Sequence, residues 1–177
     1  MIVTLIGSRG CGKSSAGRLL AHRLGWDFAD ADVELEARAG KSIQQIFIDD
    51  GESTFRDLEE QTVADLLQRD RLVLAAGGGA VLREITRERI TSSGPVIWLT
   101  APPETLYARI HADDTTAGRR PDLTDQGGLD EVRALLARRE PVYRETADIV
   151  VDTEQKSVAQ IADDVYEQLL QSEEFAR

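Results

Sequence analysis

The chain holds a single cysteine, Cys11, among 177 residues, so no intrachain disulfide and no cysteine-built metal centre can form. Histidine is almost as scarce. His22 and His111 are far apart and lack ligand spacing, so each is expected on a solvated helix face. Lysine occurs only at Lys13, Lys41 and Lys156, which leaves arginine to carry nearly all the positive charge. That charge is itself in deficit: 21 Lys and Arg against 32 Asp and Glu give a formal net charge of -11. A field of this sign repels nucleic acid and anionic lipid, so neither is an expected partner. Small anions are not excluded, because arginines a few ångströms away override the global field. No apolar run approaches the roughly 20 residues of a membrane-spanning helix. The apolar stretch Ile2–Ile6 is too short for a signal-peptide core and runs straight into a glycine loop. A cytoplasmic, monomeric protein is the expectation.

What is present is an alternation. Short apolar runs at Ile2–Ile6, Trp26–Ala29, Leu72–Ala75, Val96–Leu99 and Ile149–Val151 have the character of strands covered on both faces. Between them lie amphipathic stretches around Lys13–Leu24, Asp32–Arg38, Glu52–Arg69, Glu104–Ile110, Leu129–Arg139 and Val158–Leu170. This order predicts an α/β chain with three α/β/α layers around an open parallel sheet. At this length one domain with one core is expected. Two segments interrupt the rhythm. Residues 111–128 are polar and rich in breakers, as mobile lids are. Residues 32–69 hold about three helical pieces in a single crossover, long enough to be an inserted substrate-binding segment. The core is then 1–31, 70–110 and 129–177.

Gly7-Ser8-Arg9-Gly10-Cys11-Gly12-Lys13-Ser14 fits G-x-x-x-x-G-K-[ST] at every defined position, after a strand and before a helix. Glycines let the backbone wrap closely around phosphates, and a helix N-terminus adds partial positive charge. Lys13 is suited to reach the β- and γ-phosphates, and the Ser14 hydroxyl to ligate Mg²⁺. ATP contacts are therefore expected from Gly7 through Ser15. Cys11 occupies a variable place in the loop, where a small side chain that simply fits is favoured over a redox-active thiol.

P-loop enzymes usually add an acid at the end of a second buried strand, yet the run Leu72–Ala76 ends in Gly77-Gly78-Gly79. The acids at hand are Asp30 and Asp32, at the C-terminal end of a short strand where open α/β sheets bind ligands. On extended backbone this spacing would point both carboxylates to one side. One could then face a metal and the other an acceptor, unless Asp32 only caps the following helix. Arg56 and Arg139 each present a planar fork able to grip a carboxylate, though either alone is more often a surface ion pair. Three glycines at a strand end suit close approach of a ligand to the backbone.

Taken together, these motifs resemble the shikimate kinases over nearly the whole chain. The specific series is Asp30 and Asp32, Gly40-Lys41-Ser42-Ile43-Gln44-Gln45-Ile46-Phe47, Gly51 through Glu59 with Arg56 inside it, the glycine triplet, Arg120-Pro121, and Arg139-Glu140-Pro141-Val142-Tyr143. The resemblance implies a P-loop kinase fold with a five-stranded parallel sheet, a substrate-binding helical segment and a mobile lid. It implies ATP as co-substrate, with Mg²⁺ held by Ser14 and, through water, by Asp30. Asp32 would meet the reacting hydroxyl of shikimate. Arg56, Arg139 and the backbone of Gly77–Gly79 would take the carboxylate, and Arg120 would close onto the transferring phosphoryl group. Arg109 is the nearest candidate to stack on adenine, and the family's C-terminal adenine loop would fall around Asp152-Thr153-Glu154-Gln155. Two other readings stay open: a kinase of similar build for another polyol acid such as gluconate, and a nucleotide-binding module without catalysis.

Overall fold

The computed structural model describes residues 1–112 and 128–172. Within them, strands and helices follow in the order β1 (Ile2–Ile6), α1 (Lys13–Leu24), β2 (Asp27–Asp30), α2 (Ala31–Ala39), α3 (Ile43–Asp49), α4 (Gly51–Leu66), β3 (Leu72–Ala75), α5 (Glu84–Thr91), β4 (Val96–Thr100), α6 (Pro103–Ala112), α7 (Leu129–Thr146), β5 (Ile149–Asp152) and α8 (Val158–Gln171). A 3₁₀ turn over Ala80–Leu82 follows the glycine triplet. The five strands form one parallel sheet in the order β2-β3-β1-β4-β5. The phosphate-loop strand β1 is thus central, with β3 and β4 as neighbours.

The short apolar runs become strands because alternate residues are wanted on both faces. Ile2, Ile6, Leu72, Leu74, Val96 and Trp98 pack into one core with α4, α5 and the end of α7. Val3, Leu5, Val73, Ile97 and Leu99 pack into the opposite core with α1, α6 and α8. A sheet buried on both sides needs no polar alternation, which is why β1 is apolar at all positions but Thr4. A third cluster of Leu35, Ile43, Ile46 and Phe55 lies within α2, α3 and α4. The crossover from β2 to β3 therefore carries a small core of its own.

Two expectations are corrected. The stretch expected to end at Arg139 continues as α7 to Thr146, with Pro141 inside the helix. Proline forfeits one backbone bond there, but Tyr143 and Val142 pack against the sheet and hold the last turn in place. The second concerns the acid pair. Helix α2 begins at Ala31, so Asp32 lies on its first turn rather than on extended backbone. Asp30, not Asp32, is the N-cap: its Oδ1 accepts from the Asp32 N–H at 3.0 Å and from the Val33 N–H at 3.5 Å.

Candidate active site

The loop between β1 and α1 takes its shape from glycine. Gly7 has φ 136°, and a Cβ there would collide with the Leu99 carbonyl oxygen of β4. Gly12 has φ 97° and caps α1, so the helix axis starts at the loop and its unpaired N–H groups face outward. The Lys13 ammonium spans the loop, donating to the Gly7 carbonyl at 2.7 Å and the Ser8 carbonyl at 2.9 Å. Cys11 is fully buried in the core beside β1 and β4, its Sγ accepts from the Lys13 ammonium at 3.6 Å, and it does not line the cavity in front of the loop. Both histidines are exposed, and His111 stacks on Tyr107 with ring centroids 4.0 Å apart.

A cavity of about 540 Å³ opens in front of this loop. Lys13, Ser14, Asp30, Asp32, Gly78 and Arg139 all line it. Although Asp32 is helical, the first turn of α2 still turns its carboxylate toward the cavity, so the pair converges by a different backbone route. Ser14 donates to Asp30 Oδ2 at 2.5 Å, tying the phosphate loop to the end of β2. A hydroxyl and a carboxylate side by side fit Mg²⁺, which takes oxygen ligands and commonly completes its shell with phosphate oxygens and water. Among the described residues no group of three or more His, Cys, Asp or Glu could hold a metal ion by itself. A cation here would thus rely on the nucleotide for part of its shell.

The arginines meet the glycine triplet from two sides. Arg139 on α7 lines the cavity, and a Cβ on Gly78 would stand 3.3 Å from its Nη1. Arg56 on α4 sits under Gly79, whose added Cβ would come within 3.0 Å of the guanidinium carbon. Glu59 accepts from Arg56 Nη1 at 2.6 Å and Glu52 from Nη2 at 3.3 Å, while the guanidinium lies 5.1 Å over the Phe55 ring. The Arg56 side chain is only 15% exposed and Glu59 only 4%, so the fork is fixed rather than splayed into solvent. Bulkier residues at 78 or 79 would push the guanidinium groups away, which is the close approach the triplet permits.

At the other end of the cavity Arg109 donates to the Thr153 hydroxyl at 2.9 Å and its carbonyl at 2.6 Å. This joins α6 to the loop after β5. Lys156, whose ammonium pairs with Asp164 at 2.7 Å, and Arg18, over the Phe28 ring at 5.1 Å, also line the cavity. Neither was expected from sequence. Arg18 lies one helical turn beyond Ser14, a spacing that could have flagged it. The role of Tyr143 was equally hidden, and its hydroxyl donates to the Gly78 carbonyl at 2.5 Å. Arg120 and the rest of the expected lid fall outside the described residues, except 111, 112 and 128.

A phosphate-binding turn on a central parallel strand, facing Asp30, Asp32 and Arg139 across one cleft with Arg56 beside it at Gly79, defines a P-loop small-molecule kinase. Within that class the affiliation is specific. A family model described as shikimate kinase matches residues 9–170, and the chain belongs to the shikimate kinase family. It is 45% identical over 161 residues to a shikimate kinase of Rhodopirellula baltica, covering 91% of this chain and 86% of that one. The structure is similar to a shikimate kinase from Acinetobacter baumannii in complex with shikimate, with a TM-score of 0.91, 34% identity, and 97% and 94% of the two chains covered. A gluconokinase from Sinorhizobium meliloti matches at a TM-score of 0.51 and 18% identity over 94% of this chain and 95% of that one, a likeness of fold alone.

Proposed function

We propose that the protein transfers the γ-phosphoryl group of ATP to the 3-hydroxyl of shikimate, giving shikimate 3-phosphate and ADP on the route to aromatic amino acids. The observation that carries this is the convergence of Arg56 and Arg139 on Gly78–Gly79, beside the cavity of the phosphate loop. Two guanidinium forks with backbone between them, that of Arg56 held by Glu59 and Glu52, suit a single small carboxylate. Gluconate, the rival acceptor, also carries a carboxylate, so it is the natural competitor in an assay.

The division of labour follows from placement. Lys13 neutralises the β- and γ-phosphates from within the loop that also orients them. Asp32 accepts the acceptor hydroxyl's hydrogen bond and draws its proton as the phosphoryl group leaves. Bound Mg²⁺ would shield the phosphate charge, with Ser14 and Asp30 as its protein-side oxygens. Arg109 and the loop around Thr153 form the end suited to adenine. Arg120 is assigned to the transferring phosphoryl group on the family pattern alone. Since the transition state is loose, positioning and charge neutralisation supply most of the rate.

The test is ADP release from MgATP with shikimate, gluconate and no acceptor. Release that depends on shikimate is the expected result. Dependence on gluconate alone would reassign the acceptor, and no acceptor dependence would make the protein a nucleotide-binding module.

A further inference from the structure

Tyr143 is 0% exposed, with its ring 5.9 Å from that of Trp98 and its hydroxyl donating to the Gly78 carbonyl at 2.5 Å. It stands one helical turn beyond Arg139 on α7, so both side chains meet the glycine triplet from the same helix face. Gly78 and Gly79 are buried, yet among the described residues neither N–H meets a protein acceptor. Buried backbone donors without partners are rare, and here they lie between two guanidinium groups. In a trans peptide the carbonyl of one residue and the N–H of the next point in opposite directions. Holding the Gly78 carbonyl toward Tyr143 therefore turns the Gly79 N–H away from it, and Gly78 itself lines the cavity. Glycine supplies no side chain to resist a flip of that peptide.

We infer that the Tyr143 hydroxyl is a positioning residue: by anchoring the Gly78 carbonyl it aims the Gly78–Gly79 peptide N–H at the acceptor's carboxylate and so sets acceptor affinity. Tyr143 touches no substrate. The inference rests on shikimate being the acceptor, and it adds a buried residue to the specificity apparatus. Phenylalanine keeps the ring contact with Trp98 and removes only the anchor.

The experiment compares wild type, Tyr143→Phe and an enzyme with 4-aminophenylalanine at 143, a weaker donor in the same place. For Tyr143→Phe, KM for shikimate should rise about tenfold, equal to about 1.4 kcal/mol. The KM for ATP and kcat should move less than about threefold, a split that general loosening of the core would not give. The amino variant should fall between the two. With shikimate methyl ester, which lacks the carboxylate charge, the difference between Tyr and Phe enzymes should shrink to about twofold. An unchanged shikimate KM in Tyr143→Phe, or an equal loss on the ester, overturns the role. If the Phe enzyme does not fold, the amino variant decides: a raised shikimate KM supports the anchor, an unchanged one refutes it. Wild type that ignores shikimate refutes the acceptor assignment instead, so the two failures are told apart.

Discussion

Asp30 accepts hydrogen bonds from the Ser14 hydroxyl and from the N–H groups of Asp32 and Val33. Its carboxylate thus serves the phosphate loop and the start of α2 together, and substitutions can separate the two. Asparagine is as good a helix cap as aspartate, whereas alanine is not. Asp30→Asn should therefore keep thermal stability while raising the Mg²⁺ concentration needed for half-maximal rate. Asp30→Ala should show the same Mg²⁺ shift and lose about 1 kcal/mol of stability as well. Asp32 differs, since its backbone is already inside the helix and its side chain faces the cavity. Asp32→Asn should lower kcat by about 10²-fold or more with little change in either KM. Wild-type turnover in that variant would remove Asp32 from the chemistry.

At the scale of elements, the β2-to-β3 crossover carries Arg56, proposed above to grip the acceptor, and its own small core holds it in shape. Phe55 is 0% exposed, packs on Phe47 with ring centroids 4.6 Å apart, and lies beneath the Arg56 guanidinium. Phe55→Ala should cost about 3–5 kcal/mol in urea unfolding and raise the KM for shikimate by freeing Arg56. The link between α6 and α7 is of another kind. Glu104 on α6 accepts from Arg133 on α7 at 2.6 Å, and that hydrogen bond holds the Glu104 carboxyl below its ordinary value of 4.5. A depressed carboxyl contributes fully above its unfolded value and loses the contribution as pH falls through the lower folded one. The pairing is therefore intact at neutral pH and disappears only under acid conditions. Carboxyl NMR titration should find the Glu104 midpoint below 4.5 in wild type and moved upward in Arg133→Gln.

For the whole molecule, a net charge of -11 contrasts with a cavity lined by Lys13, Arg18, Arg109, Arg139 and Lys156. Local cations inside an acidic envelope suit small polyanions and disfavour long ones. MgATP at about 100 times its Kd should stabilise the fold by about 2.7 kcal/mol, or about 5–11 °C in Tm for a chain of this size. Absence of any shift with MgATP would contradict nucleotide binding at the loop. Sequence alone determined the parallel sheet, because β1 and β3 are buried on both faces and are apolar at every position but Thr4. It also determined the phosphate loop, whose glycines and lysine act through backbone geometry within a few residues. Its periodicity did not reveal α5, with few apolar residues, or the continuation of α7 through Pro141, where tertiary packing overrides proline. Only the tertiary structure decided how Asp32 reaches the cavity, how Glu59 and Phe55 fix Arg56, and that Tyr143 grips Gly78. Those contacts depend on α2, α4 and α7 being brought against one sheet end, and such distances have no period along the chain.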